Sequence, residues 1–389
     1  MKLTDYEVYT LSLLSRALRG KKGAITDLPQ EVERIASRHG VLPLLYDAVS
    51  PPEDSLVARA AVQCVKQSYH LLVATKRYTS LLKEGGCDVV VLKGASVAAL
   101  YPVPEYRKSG DLDLLLRNRH EFERADALLR KVGAVANSYQ HANHHIAYEL
   151  PDGFELELHL SLVEDFDDRD LNRKLASIQK TMRVTSCPVL GVELPVLEKG
   201  AQALSLLLHM LQHFLLSGFG LKLLCDWVCF WRAGVPRAER EWYRSCVSRL
   251  CLTGFSEIVT DVCCRYLGLS RKAVTDLLPE DGEERVGLCE DFMREVFDGE
   301  EFGKSSDDRM VMLRGSGVAD YAREFHHQMH LNFPNAGRCP LLWPGLWAFT
   351  LARFMRNNHR YRDTSLLRVL RSAGKRSKLY KQMRLFEKE

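Results

Sequence analysis

Apolar positions along the first 80 or so residues recur at helical spacing. Tyr9, Leu11, Leu13, Leu14 and Leu18 follow Thr4, a residue type whose hydroxyl caps helix N-termini. A second helix is predicted over 29–39, stopping at Gly40, and a third over about 53–83, stopping at Gly85 and Gly86. The period then changes. Residues 89–92 (Val-Val-Val-Leu) form a short β-branched run, the pattern of a strand buried on both faces. Lys93-Gly94-Ala95-Ser96 turns into a short helix reaching Leu100. After a loop holding Pro102, Pro104 and Gly110, a second strand is predicted over 111–116. A helix over 119–131, closed by Gly133, precedes two more strands, 146–150 and 154–160, on either side of the turn Pro151-Asp152-Gly153. From about Leu171 onward the pattern is mainly helical, most plainly over 201–216, 221–233, 239–250 and 255–267.

This order predicts an α+β protein, a small mixed β-sheet embedded in a mainly α-helical chain. The expected division is an N-terminal helical region (1–86), an α/β core (87–165) and a C-terminal helical region with a basic tail (166–389). Composition changes little: 46% apolar and 27% charged residues are those of an ordinary soluble globular chain, and 389 residues are ample for a core. The first residues lack the apolar stretch of a secretory signal, and the apolar runs are too short to span a bilayer, so a cytoplasmic location is expected. None of the eleven cysteines lies in a Cys-x-x-Cys pair, which removes the basis for a zinc ribbon or a thioredoxin-like motif. Cys225 and Cys229 share a helix face and Cys263 adjoins Cys264. They read as small buried residues in a reducing compartment.

Candidate chemistry concentrates between residues 91 and 160. Gly94 follows a strand and opens a helix, where free backbone N–H groups can hold phosphate oxygens; Ser96 adds a hydroxyl and Lys93 a positive charge. In the next strand Asp111 and Asp113 point to one face while Leu112 and Leu114 enter the core. Two carboxylates beside a phosphate cradle are the hard oxygen ligands that Mg2+ requires. Glu155, Glu157 and His159 share a face of the strand over 154–160, and Glu157 supplies a third carboxylate if that strand lies beside the first. Such a site suits two metal ions.

These residues resemble the nucleotidyltransferase superfamily, whose pattern is a Gly-[Gly/Ser] turn followed by an Asp-h-[Asp/Glu]-h strand. The chain is more closely similar to a bacterial family of largely uncharacterised nucleotidyltransferases. The shared motifs are Leu92-Lys93-Gly94, the run from Arg107 through Gly110 to Asp111-Leu112-Asp113, and Glu157-Leu158-His159. The resemblance reaches the segment 220–227, which contains Lys222 and Asp226. It implies Asp111, Asp113 and Glu157 as catalytic metal ligands for Mg2+ (or Mn2+). It also implies an NTP, with ATP the expected one, held by Lys93, Gly94, Ser96 and Arg107, with Lys222 and Asp226 facing the nucleotide. Arg107 equally suits an anchor between its loop and a carboxylate. Ala95 stands where the superfamily pattern has Gly or Ser.

Other features stay open. His209 and His213 lie one turn apart, but His-Met-Leu-Gln-His lacks the Glu of a metalloprotease helix; the pair lines the wall of the cleft or is satisfied within the helices. His141, His144 and His145 precede a strand without metal-site spacing. The segment from Arg353 to Glu389 holds twelve Lys or Arg against three acids, interleaved with Leu366, Leu370, Leu379, Met383 and Phe386. It reads as a docked amphipathic helix with a solvated basic face, or as a contact for RNA or an acidic surface. The acceptor is a small molecule, a peptide or protein, or RNA. The alternatives are a nucleotidyltransferase-type toxin acting on RNA or protein, and a non-catalytic nucleotide-binding interaction protein.

Overall fold

The computed structural model describes residues 2–300 except 24, 26, 138–144, 167, 217, 280 and 281, together with parts of 322–361 and residues 379–387. Helix α1 (Asp5–Leu18) starts in a reciprocal capping box. The Thr4 hydroxyl accepts from the Glu7 N–H, and the Glu7 carboxylate accepts from the Thr4 N–H at 2.7 Å. Next come α2 (Gln30–Arg38), the short α3 (Tyr46–Val49) and α4 (Leu56–Glu84), whose first turn donates to the Ser55 hydroxyl. These three predicted helices are all present.

The chain then builds the sheet: β1 (Val89–Val91), the one-turn α5 (Ala95–Ala98), β2 (Asp111–Leu116), α6 (Arg119–Lys131), β3 (Val135–Ala136), β4 (His145–Glu149) and β5 (Glu155–His159). After α7 (Arg169–Thr181) a hairpin of β6 (Val184–Val189) and β7 (Val192–Leu197) returns to it. The strand order is β3-β4-β5-β2-β1-β7-β6; β1–β7 and β2–β5 are parallel and the other pairs antiparallel.

Both faces of the sheet are covered, as the unbroken β-branched run of β1 requires. Val89 and Val91 join Leu112, Leu114, Leu156 and Leu158 against α4 and α6. Val90, Leu92 and Leu115 face the larger core built with the later helices α8 (Lys199–Leu216), α9 (Leu221–Arg232), α10 (Arg237–Arg249), α11 (Thr253–Tyr266) and α12 (Glu283–Gly299). A further helix, α13, spans Trp343–Tyr361. Among the described residues no helix is long and apolar enough to cross a membrane. Cys225, Cys229 and Cys263 are buried and every cysteine is free.

Beyond Leu171 the described structure is mainly helical, as expected, apart from the β6–β7 hairpin, which the pattern did not predict. Its two-residue turn takes positive φ at both Leu190 (+46°) and Gly191 (+81°), the geometry that matches strand twist in tight hairpins. Pro188 and Pro195 interrupt the strand pattern in the sequence, and Pro188 lies in β6, the edge strand, where proline is tolerated. At the other end of the chain Leu379 and Met383 of the basic segment are buried in the helical core, and the Phe386 N–H donates to the Cys251 carbonyl. Residues 362–378, including Leu366 and Leu370, lie outside the described residues.

Candidate active site

Parallel pairing of β2 with β5 sets Asp111 opposite Glu155, Asp113 opposite Glu157 and Leu115 opposite His159. Strand side chains alternate, so all of these project from one face, the face toward the helical core. The expectation that Glu157 lies beside the Asp-x-Asp pair is met by this register. His159 joins them: its Nε2 lies 3.1 Å from Asp113 Oδ1 and 3.1 Å from Glu157 Oε2. Ionised carboxylates only accept, so Nε2 carries the proton and donates between them. Asp113, Glu157 and His159 offer ligand atoms within 4.8 Å of one another. Asp111 stands outside this group, with 42% of its side chain exposed.

Lys93 follows β1 directly and reaches across the same face. Its Nζ donates to Asp113 Oδ1 at 3.0 Å and lies 3.9 Å from Asp111 Oδ2. Burial alone would strip the Lys93 charge, but Asp113, Asp111 and Glu157 outweigh it and hold the ammonium well above its ordinary pKa. Burial likewise opposes the charges of Glu157 and His159. The hydrogen bond from His159 and the charge of the Lys93 ammonium outweigh burial and lower the Glu157 pKa to about 2, and hydrogen bonds to Asp113 and Glu157 raise that of His159. Glu155 moves upward, through burial and then repulsion from Glu157, Asp111 and Asp113. The second oxygen of Asp113, Oδ2, is buried and accepts no hydrogen bond among the described residues. A buried carboxylate oxygen without a donor is costly, and a bound cation is a partner that fits it.

Gly94 takes φ +61° and ψ −114°, a region closed to other residues. A Cβ there would meet only the Asp111 carbonyl oxygen at 3.7 Å, an ordinary contact. Backbone conformation therefore demands the glycine, and close packing does not. Gly94→Ala is expected to cost about 1–3 kcal/mol in a urea unfolding experiment; a variant as stable as the parent would show that the turn relaxes. Ser96 is buried, with its hydroxyl donating to the Leu92 carbonyl at 3.0 Å and approached by Gln202 Nε2 at 3.4 Å.

Gln202, His209 and His213 lie at i, i+7 and i+11 on one face of the largely apolar α8. The two imidazoles meet edge to face at 4.5 Å. Burial, then the Lys93 and Lys222 ammoniums, push His213 down to about 4, while Glu157 and Asp111 pull the other way. His209 is also held well below its ordinary value, by burial, Lys93, His213 and Lys222. Both are therefore neutral near pH 7. His145 stands opposite His159 across β4–β5, with Nε2 3.9 Å from Glu157 Oε1. His141 and His144 lie outside the described residues.

Arg107 takes the anchoring role left open for it, and its partner is Asp226. Arg107 Nε and Nη2 donate to the two Asp226 oxygens at 2.7 Å each, and Nη1 donates to Ser109 Oγ at 2.5 Å. Tyr101 OH donates to Asp226 Oδ1 at 2.6 Å. The forked pair is 4% and 2% exposed and ties the loop leading into β2 to α9. The i, i+4 spacing put Lys222 and Asp226 on one helix face, but only the fold shows which arginine that face meets. Tyr101 and Gln202 were not picked out from the sequence. The one signal for Gln202 is the helical spacing of polar residues on α8.

No curated protein matches the chain. A crystal structure of an antigenic nucleotidyltransferase-like protein from Paracoccidioides brasiliensis is similar over 52% of this chain and 92% of that one, with 16% identity and a TM-score of 0.32. The described family of uncharacterised nucleotidyltransferases matches residues 28–268, from α2 through the whole sheet to the end of α11, and the chain belongs to that family.

Proposed function

We propose that the protein transfers a nucleoside monophosphate from an NTP, with ATP the expected donor, to an acceptor hydroxyl, and that it requires Mg2+ or Mn2+. The observation that carries this reading is the meeting of Asp113, Glu157, His159 and Lys93 on one face of the sheet, with Asp111 at its edge. Asp113 and Glu157 are the carboxylates we assign to the divalent cation, with Asp111 at the open edge of the site. When bound, that cation neutralises charge on phosphate oxygens and lowers the pKa of an attacking hydroxyl.

The chain's own groups account for the remaining steps. Lys93, held protonated, attracts the triphosphate, and the backbone at Gly94 together with Lys222 serves the same anion. Asp111, the most open of the three carboxylates, takes the acceptor proton. The new bond joins the acceptor oxygen to the α-phosphorus, the bond from that phosphorus to the bridging oxygen breaks, and pyrophosphate leaves. Helix α8, tied to the turn after Lys93 through Gln202 and Ser96, is the element we assign to the acceptor side.

The test is incubation of the protein with each α-phosphate-radiolabelled NTP and Mg2+ or Mn2+, supplying cell extract, total RNA and the protein itself as acceptors. Label transferred by the wild type and lost in Asp111→Ala/Asp113→Ala supports the reading, and the labelled fraction names the acceptor class. Metal-dependent NTP binding without transfer to any acceptor favours a non-catalytic nucleotide-binding protein. The absence of both NTP binding and transfer overturns the reading.

A further inference from the structure

The pattern Asp-x-Asp plus a third carboxylate suggests two metal ions held by oxygen alone, but the side chains are arranged for something different. Lys93 Nζ spans the Asp111–Asp113 edge, 3.0 Å from Asp113 Oδ1 and 3.9 Å from Asp111 Oδ2. That edge is where an ion bridging the two aspartates has to sit, and a buried ammonium already neutralises it. The Oδ1 that accepts from Lys93 also belongs to a group of mixed donors. His159 Nε2 approaches both Asp113 and Glu157 at 3.1 Å, and the three ligand atoms lie within 4.8 Å. The Asp113 side chain is fully buried, and its Oδ2 accepts no hydrogen bond among the described residues.

We infer that the protein binds a single divalent transition-metal ion through Asp113, Glu157 and His159, and that the Lys93 ammonium takes the place of a second metal. The ion replaces the Nε2 proton of His159, which leaves to solvent. An imidazole ligand favours first-row transition ions over Mg2+, whose preference is for oxygen. Lys93 supplies the second positive charge from the chain itself, at the cost of fixing its position. The inference deepens the nucleotidyl-transfer reading and rests on it for what the two positive charges do. Ion binding is measured without nucleotide or acceptor, so the two stand or fall separately.

The experiment is titration of the full, chelator-stripped chain with Mn2+. Free ion is followed by its electron paramagnetic resonance signal, and nitrogen coupling to the bound ion by electron spin-echo modulation. The wild type is expected to take up a single tight Mn2+ with nitrogen-14 modulation. His159→Asn should abolish the modulation and weaken binding by roughly tenfold or more. His145→Gln, which removes the neighbouring imidazole, should keep the modulation. Lys93→Met should admit a second Mn2+, and circular dichroism checks that each variant is folded. Two tight ions on the wild type, bound ion without nitrogen modulation, or no bound ion would each overturn the inference. In the first two cases label transfer can still proceed, so nucleotidyl transfer would remain standing.

Discussion

Asp113→Asn is expected to reduce label transfer by more than about 100-fold, because loss of even an outer partner of a metal ligand costs roughly 10–100-fold. The substitution keeps the size of the side chain and removes only its charge and half of its acceptor capacity. Asp113 is the hub of the site: Oδ1 accepts from Lys93 and lies 3.1 Å from His159, and Oδ2 is the buried oxygen without a donor. An amide there cannot balance both cations, and it offers N–H where a cation needs a lone pair. Lys93 would turn toward Asp111 and Glu157, so a cation would be disfavoured as well as unligated.

Asp111→Asn should do less to ion binding than to the rate, since Asp111 stands outside the three-ligand group and is half-exposed. The comparison separates a ligand from a proton acceptor. Initial rates of transfer and Mn2+ affinity, measured side by side on the two variants, check it. An Asp113→Asn protein that retains transfer within about tenfold of the wild type would remove the carboxylate cluster from the reaction.

Much of this site was legible because it depends on short-range pattern. The alternation in Asp111-Leu112-Asp113 and Glu155-Leu156-Glu157 fixes which residues share a face, whatever the sheet is packed against. Pairing of β2 with β5 could be stated only as a condition, since register between strands forty residues apart is set by tertiary contacts. His159 was legible as a face-mate but not as a donor lying between two carboxylates. Lys93 was read as a phosphate contact, and nothing in Leu-Lys-Gly reveals that its side chain turns back to Asp113. The β6–β7 hairpin was missed for a local reason. Its turn is Leu190-Gly191, not the usual Asn-Gly, and prolines break both of its strands. Arg107 suits a phosphate or a carboxylate anchor equally from its sequence position, and only the fold shows that it meets Asp226, 119 residues away, as a buried fork.

That fork carries the largest effect expected on stability. Asp226→Ala should destabilise the protein by about 3–5 kcal/mol, as is usual when one partner of a buried ion pair is removed and the other charge stays buried. Arg107 is 4% exposed, and Tyr101 would lose its acceptor in the same step. Arg107→Met should cost a comparable amount by stranding the Asp226 carboxylate. The double variant Arg107→Met/Asp226→Leu should be much less damaged than the sum of the two, because it removes both desolvated charges and leaves apolar groups of similar volume. Urea unfolding of the four proteins closes the cycle. If the single costs simply add, the fork is no more than two independent contacts. The location of the pair adds a functional expectation. Arg107 and Ser109 end the loop that delivers Asp111, and Asp226 belongs to the helix that also carries Lys222. The double variant should therefore recover stability without recovering transfer, since an apolar contact can replace the energy of the fork but not the bidentate geometry that fixes the loop leading into β2 on α9.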